Sequence, residues 1–206
     1  MIIVRSPYRI SFFGGSSDYP GWFREHGGQV FAATLDRYCY ICLRIMPAFL
    51  GTKYRIFWSH MEAVNTIEEI QHPGVKACLN YLKIDKGIEV NHAGDLPARS
   101  GLGSSSSFTV GMLHALHVLQ DQPVTKHQLA MEAIEVEQNV MLENVGVQDQ
   151  IQCAWGGLNH IVIDRDGSYT CNPITPDPLF EQHLVLVYTG KQRFASDIAK
   201  EQLSNF

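Results

Sequence analysis

The chain has 206 residues, 45% of them hydrophobic, with 16 basic against 21 acidic side chains for a formal net charge of −5. That length can bury a good core, and the mildly acidic balance argues against a general binder of nucleic acid or of anionic membranes. Five scattered cysteines, with no signal peptide and no apolar run of membrane length, lead to the expectation of free buried thiols in a cytoplasmic protein. Cys39-Tyr40-Ile41-Cys42 lacks the second pair that a zinc site needs, and no internal repeat or linker composition stands out.

The N-terminal Ile2-Ile3-Val4 reads as a buried strand by its β-branching, and Ile10 and Phe12 read as strand again before Gly14-Gly15 turn the chain. Arg9 therefore sits among apolar neighbours, where a guanidinium needs an anionic partner; a structural ion pair and a functional anion both satisfy that. Alternation over residues 28–45 predicts two successive strands with Asp36-Arg37 between them. Residues 54–58 form a further strand candidate. Helical spacing runs over residues 67–82, where Pro73 breaks or starts the helix. His60 and His72 have no partner at ligand spacing and read as surface or packing residues.

Residues 96–108, LPARSGLGSSSSF, follow an apolar alternating run and precede a helical pattern through Phe108, Met112, Ala115, Leu116 and Leu119. A strand, a glycine–serine loop and a helix start form a physical recipe for holding phosphate. Glycine lets the backbone approach, and the first N–H groups of the helix carry partial positive charge. An ordinary helix cap is the plainer alternative. Thr125 then offers an N-cap, with Gln128 at the capping-box position, for a helix to about residue 141. Glu137 falls on its apolar stripe beside Ala133, Ile134, Val140 and Met141, where a carboxylate needs a base or a metal.

Asp149 lies between Gln148 and Gln150 in a loop opened by Gly146, and is either a turn or cap residue or a functional acid. Residues 158–164 and 169–171 read as a hairpin around Asp166-Gly167, residues 173–178 as irregular and residues 184–188 as a buried strand. Residues 189–193, TGKQR, open a last helix from about Ala195. There Lys191 or Arg193 either neutralises a substrate phosphate or is solvated surface charge.

Pro97, the Gly101-Leu102-Gly103 core and the four serines resemble the phosphate loop of the GHMP kinases (galactokinase, homoserine kinase, mevalonate kinase, phosphomevalonate kinase). The segment around Arg9, Gly14, Gly15, Ser16 and Asp18 resembles that family's first motif, and Gly146-Val147-Gln148-Asp149-Gln150 with Gly156-Gly157 its base motif. Where galactokinases carry Glu-His this chain has Gly15-Ser16. That departure, with His26-Gly27-Gly28-Gln29-Val30 and the TGKQR loop, is similar to the branch that phosphorylates bacterial heptoses.

The resemblance implies an α+β fold, a mixed β-sheet with helices packed on one face of the ribosomal protein S5 domain 2-like kind. It implies ATP-dependent phosphorylation of a sugar hydroxyl, the anomeric hydroxyl of a heptose 7-phosphate being the expected acceptor. ATP would lie against Pro97, Ser100, Gly101, Leu102, Gly103, Ser104, Ser105 and Ser106, and Mg2+ against Ser105 and Glu137. Asp149 would orient or take the acceptor's proton, and Arg9 would offset charge on the transferring group. The sugar would contact Asp18, Gly14, Gly15 and Ser16, with Lys191 and Arg193 near its phosphate. Glu137 and Asp149 must then converge on the serine turn.

Family members continue into a second domain. Residues 1–188 are therefore expected to form the ATP- and substrate-binding domain, and 189–206 the start of a connection, with poor turnover from these residues alone. A homodimer is left open. The alternatives are another enzyme of the family, such as a fucokinase or a mevalonate-pathway decarboxylase, a sensor that binds sugar and ATP without transfer, and a plain α+β scaffold.

Overall fold

A computed structural model describes residues 1–97 and 100–187. Strand β1 (Ile2–Phe13) leads through α1 (Pro20–His26) into β2 (Gly28–Ile45), followed by β3 (Tyr54–Phe57), β4 (Met61–Val64), α2 (Pro73–Tyr81) and β5 (Ile88–Gly94). Then come α3 (Ser104–Leu119), α4 (Lys126–Glu135), α5 (Gln148–Trp155), the hairpin β6 (Leu158–Ile163) and β7 (Tyr169–Ile174), and the short α6 (Pro178–Gln182). The seven strands form one mixed sheet in the order β4-β3-β5-β2-β6-β7, with β1 against the other side of β2. Among the described residues only β3 and β5 run parallel.

The expected mixed sheet with helices on one face is present. Helix α3 packs on β1 and β2, α5 beside it, α4 over both and α2 against α3. The larger core joins Ile41, Leu43, Ile56 and Val90 of the sheet to Leu79 of α2 and Met112, Leu113 and Leu116 of α3. A second cluster gathers Phe23, Val30, Ile161 and Ile163 under Ala130 and Ile151. Burial of these branched side chains is the main stabilising term.

Residues 28–45 form one strand of 18 residues, not two. The turn-like Asp36-Arg37 became a bulge, since Pro7 pairs with Tyr38 while Arg9 pairs with Thr34. Tyr8 of β1 thus opposes three residues of β2, Leu35, Asp36 and Arg37. Pairing to β1 along its whole length keeps β2 continuous, and the bulge re-aims the side chains beside it. Arg9 is one of those.

Pro73 starts α2, and the buried His72 caps it by accepting from the Val75 amide at 3.3 Å. Of the two expected readings, surface or packing, His72 takes the second, against Trp58 and Phe108. Thr125 accepts from the Gln128 amide at 3.1 Å as expected, but the Gln128 side chain turns to Glu132, so the capping box is half made. Beyond Glu135 the helix widens into a π-turn over Val136–Val140. Residues 184–187 are not strand and lie exposed, with no sheet pairing to them among the described residues. Tyr188, Lys191, Arg193 and the last helix lie outside the described residues. All five cysteines are free, and among the described residues no helix is long and apolar enough to cross a membrane.

Candidate active site

The bulge in the β1–β2 pairing turns Arg9 away from its strand neighbours and toward the glycine loop. Its amide donates to the Leu102 carbonyl at 3.0 Å, and its Nη1 to the Gly101 carbonyl at 3.0 Å. Its Nε and Nη2 meet the two oxygens of Asp149 at 2.7 and 2.6 Å. This bidentate fork joins residues 140 positions apart and is the strong form of a charged hydrogen bond. Burial works against the Arg9 charge, but Asp149 outweighs it and leaves the guanidinium more basic than usual.

Gly103 allows this closeness. With φ at +69°, it caps α3 in the left-handed region, and a Cβ there would come within 2.9 Å of Arg9 Cγ and 3.4 Å of Asp149 Oδ2. Gly103 offers no side chain to cap α3, so the first-turn amides, which lack intrahelical partners, begin beside the ion pair that Gly103 approaches. Ser100 Oγ is buried with no partner among the described residues. Pro97, Gly101 and Ser105 are exposed, and Ser104 is half-buried.

Glu137 enters from the π-turn, a distortion common where a helix serves a site. Its Oε2 accepts from Ser106 Oγ at 2.8 Å and from Gln150 Nε2 at 2.5 Å. Its Oε1 is buried without a partner among the described residues. Burial pushes this carboxyl up to about 7, although Ser106 and Gln150 donate to its charged form. An orphaned carboxylate oxygen beside serine hydroxyls fits a hard cation that takes its remaining ligands from phosphate and water. The hydroxyl that touches Glu137 is that of Ser106, whereas Ser105 lies on the exposed side of the turn. Among the described residues no group of three or more acidic, cysteine or histidine side chains could hold a metal by itself.

Thus Glu137 and Asp149 both converge on the serine turn. The first motif divides differently. Gly14 (φ +88°), Gly15 and Ser16 (φ +73°) make an open turn, with Ser17 Oγ donating to the carbonyls of Gly14 and Gln29 at 2.7 and 3.0 Å. Gly14 and Ser17 line a cleft of about 830 Å3 with Trp22, His26, Gln29 and Arg165. Asp18, by contrast, is wholly buried, and its oxygens accept from the Gln148 amide at 3.1 Å and Gln148 Nε2 at 3.0 Å. Burial first, and the Asp149 charge second, push it up to about 6.

Sequence reasoning passed over Gln148, Gln150 and the spatial role of Gly146. A signal was there, since glutamine recurs at 148, 150 and 152 in a short helix, and all three are buried. Buried amides demand partners. Gln148 serves Asp18, Gln150 serves Glu137, and Gln152 donates to the Gly157 carbonyl at 2.7 Å.

Residues 65–157 match the family described as GHMP kinases N terminal domain. The chain is 24% identical over 217 residues to the D-glycero-alpha-D-manno-heptose 7-phosphate kinase of Campylobacter jejuni, covering 98% of this chain and 63% of that protein. It is 26% identical over 196 residues to a galactokinase of Roseiflexus, covering 85% of this chain and 46% of the relative. The chain thus spans between about half and two thirds of the length of these relatives. Among solved structures, a D-glycero-D-manno-heptose 1-phosphate kinase from Bacteriodes thetaiotaomicron superposes with a TM-score of 0.80 at 21% identity, over 89% of this chain and 63% of that one. A phosphomevalonate kinase of Streptococcus pneumoniae superposes with a TM-score of 0.78 at 16% identity, over all of this chain and 68% of the other.

Proposed function

Because residues 65–157 match the N-terminal domain of the GHMP kinases, we propose that this chain belongs to that family and that the protein transfers the γ-phosphate of ATP to a hydroxyl of a heptose phosphate. The observation that carries this reading is the Arg9–Asp149 fork, held against the glycine that opens an uncapped helix. Phosphoryl transfer asks mainly for positioning and charge neutralisation. The first-turn amides of α3 hold the phosphates of ATP. Arg9 offsets charge on the group in flight. Each Asp149 oxygen keeps a lone pair beyond its bond to Arg9, so Asp149 orients the attacking hydroxyl and takes its proton as the new O–P bond forms and the bond to ADP breaks. Glu137, with Ser106 and Ser105, would hold Mg2+, which would supply charge neutralisation to the phosphates.

The acceptor lies over Gly14, Gly15 and Ser16. The cleft beside them is lined by Trp22 and Gln29 and by Arg165 between Asp164 and Asp166, an aromatic face and polar groups suited to the hydroxyls of a sugar. Small residues at 15 and 16 leave room for a sugar larger than a hexose. A galactose-type acceptor is the second reading, favoured by the galactokinases among the relatives. Incubation with γ-labelled ATP, Mg2+ and a panel of heptose phosphates, galactose and fucose separates the two. Label on a heptose phosphate supports the first, label on galactose alone supports the second, and label on none of them overturns both.

A further inference from the structure

Helix α5 has no side-chain cap of its own, and Val147 at its N-cap position offers none. Asp18 supplies one from the opposite end of the chain. Its carboxylate takes the Gln148 amide and the Gln148 side chain, and its backbone carbonyl takes the Val147 amide at 3.2 Å. Three hydrogen bonds thus tie one residue of the β1–α1 loop to the first turn of α5. Gly146 fits against the same carboxylate so closely that a Cβ there would lie 1.8 Å from Asp18 Oδ2. For Asp18 to reach a sugar, a fully buried group would have to leave both donors, and Gln148 would be left with unpaired polar atoms in the interior.

We propose that Asp18 is a positioning residue for Asp149: its buried carboxylate caps α5 and so fixes where Asp149 meets Arg9, instead of contacting the acceptor sugar. Asp149 is the residue that follows Gln148 in that first turn, so a shift of the turn moves its carboxylate relative to both oxygens of the fork. Displacements of about 1 Å at a reacting group cost on the order of 100-fold in rate. The inference rests on Asp149 being the group that meets the attacking hydroxyl.

The test compares the wild-type chain with Asp18→Asn and with Gln148→Met, which keeps the volume and the backbone donor but withdraws the side-chain one. The first readout needs no turnover: the side-chain Nε–H resonance of Arg9 and its hydrogen exchange, read by 15N NMR. Both variants should shift that resonance and speed its exchange at least about tenfold; an unchanged signal in both overturns the proposal. The second readout is kinetic, with D-glycero-D-manno-heptose 7-phosphate and Mg-ATP. A kcat lowered about 10–100-fold with a sugar KM held within about threefold supports positioning. A sugar KM raised about tenfold or more with kcat preserved makes Asp18 a sugar ligand and overturns it. If Asp18→Asn does not fold, Gln148→Met carries both measurements. A wild-type chain that transfers to no sugar defeats the kinase reading, and the NMR comparison still decides the clasp.

Discussion

Asp149 holds both its oxygens against one guanidinium at 2.7 and 2.6 Å, so it stays aimed while a hydroxyl approaches. Asp149→Asn keeps the shape and removes the basic oxygen. Turnover should fall about 10²–10⁴-fold while ATP affinity by isothermal titration stays nearly unchanged; undiminished turnover removes Asp149 from the mechanism. Glu137 does different work, since its carboxylate is buried with one oxygen unpartnered. Glu137→Gln should abolish the gain in ATP affinity that Mg2+ confers while leaving metal-free ATP binding as it was. Titrations with and without Mg2+ measure that difference, and an unaltered Mg2+ increment would take the residue out of the metal site. At Gly103 any side chain meets both the left-handed backbone and the ion pair. Gly103→Ala should cost about 1–3 kcal/mol of stability in chemical denaturation, and a neutral result would mean that the loop yields easily.

Among the elements, α2 shows how one residue ties local structure to pH. His72 is buried and uses Nδ1 as the acceptor that caps the helix, with rings of Phe108, Trp58 and His92 around it. Glu62 reaches the His72 amide at 3.1 Å. Burial first, and His92 second, push His72 down to about 4, against the opposing pull of Glu62. The folded state thus binds the proton more weakly than the unfolded chain, whose histidine titrates near 6.5. Its contribution is complete above about 6.5 and is lost as pH falls toward 4, with up to about 3 kcal/mol at stake. A charged His72 would also present a donor to the Val75 amide and lose the cap. His72→Asn keeps a capping oxygen and cannot titrate, so its melting temperature should fall less than that of the wild type between pH 7 and pH 4. Parallel pH profiles would refute the assignment.

For the molecule as a whole, β2 is the common member. It pairs with β1 on one side and with both β5 and β6 on the other, and so joins the two core clusters. Ile41 lies in its C-terminal half, fully buried between Val4 of β1 and His92 of β5, with Gly111 of α3 packed close above it. Ile41→Ala should cost about 2–5 kcal/mol out of the 5–15 typical of a domain, read as the loss of unfolding free energy in urea. A loss below about 1 kcal/mol would show that the sheet does not unfold as one unit.

The sequence alone determined β1, β3, β5, helices α2, α3 and α4, the β6–β7 hairpin, the glycine–serine turn at a helix start, and the candidate acids at positions 137 and 149. Each is legible because it rests on short-range spacing: alternation, a 3.6-residue stripe, a glycine beside a run of hydroxyls. Tertiary structure decided what depends on pairing across the chain. It joined residues 28–45 into one bulged strand, left residues 184–187 outside the sheet, made His72 a buried cap, set Ser106 rather than Ser105 against Glu137, and sealed Asp18 under Gln148. The partner of a buried polar group is fixed by which distant segment fills the space beside it. No local pattern encodes that space, so a carboxylate that contacts a ligand and one that caps a helix 130 residues away look alike in sequence.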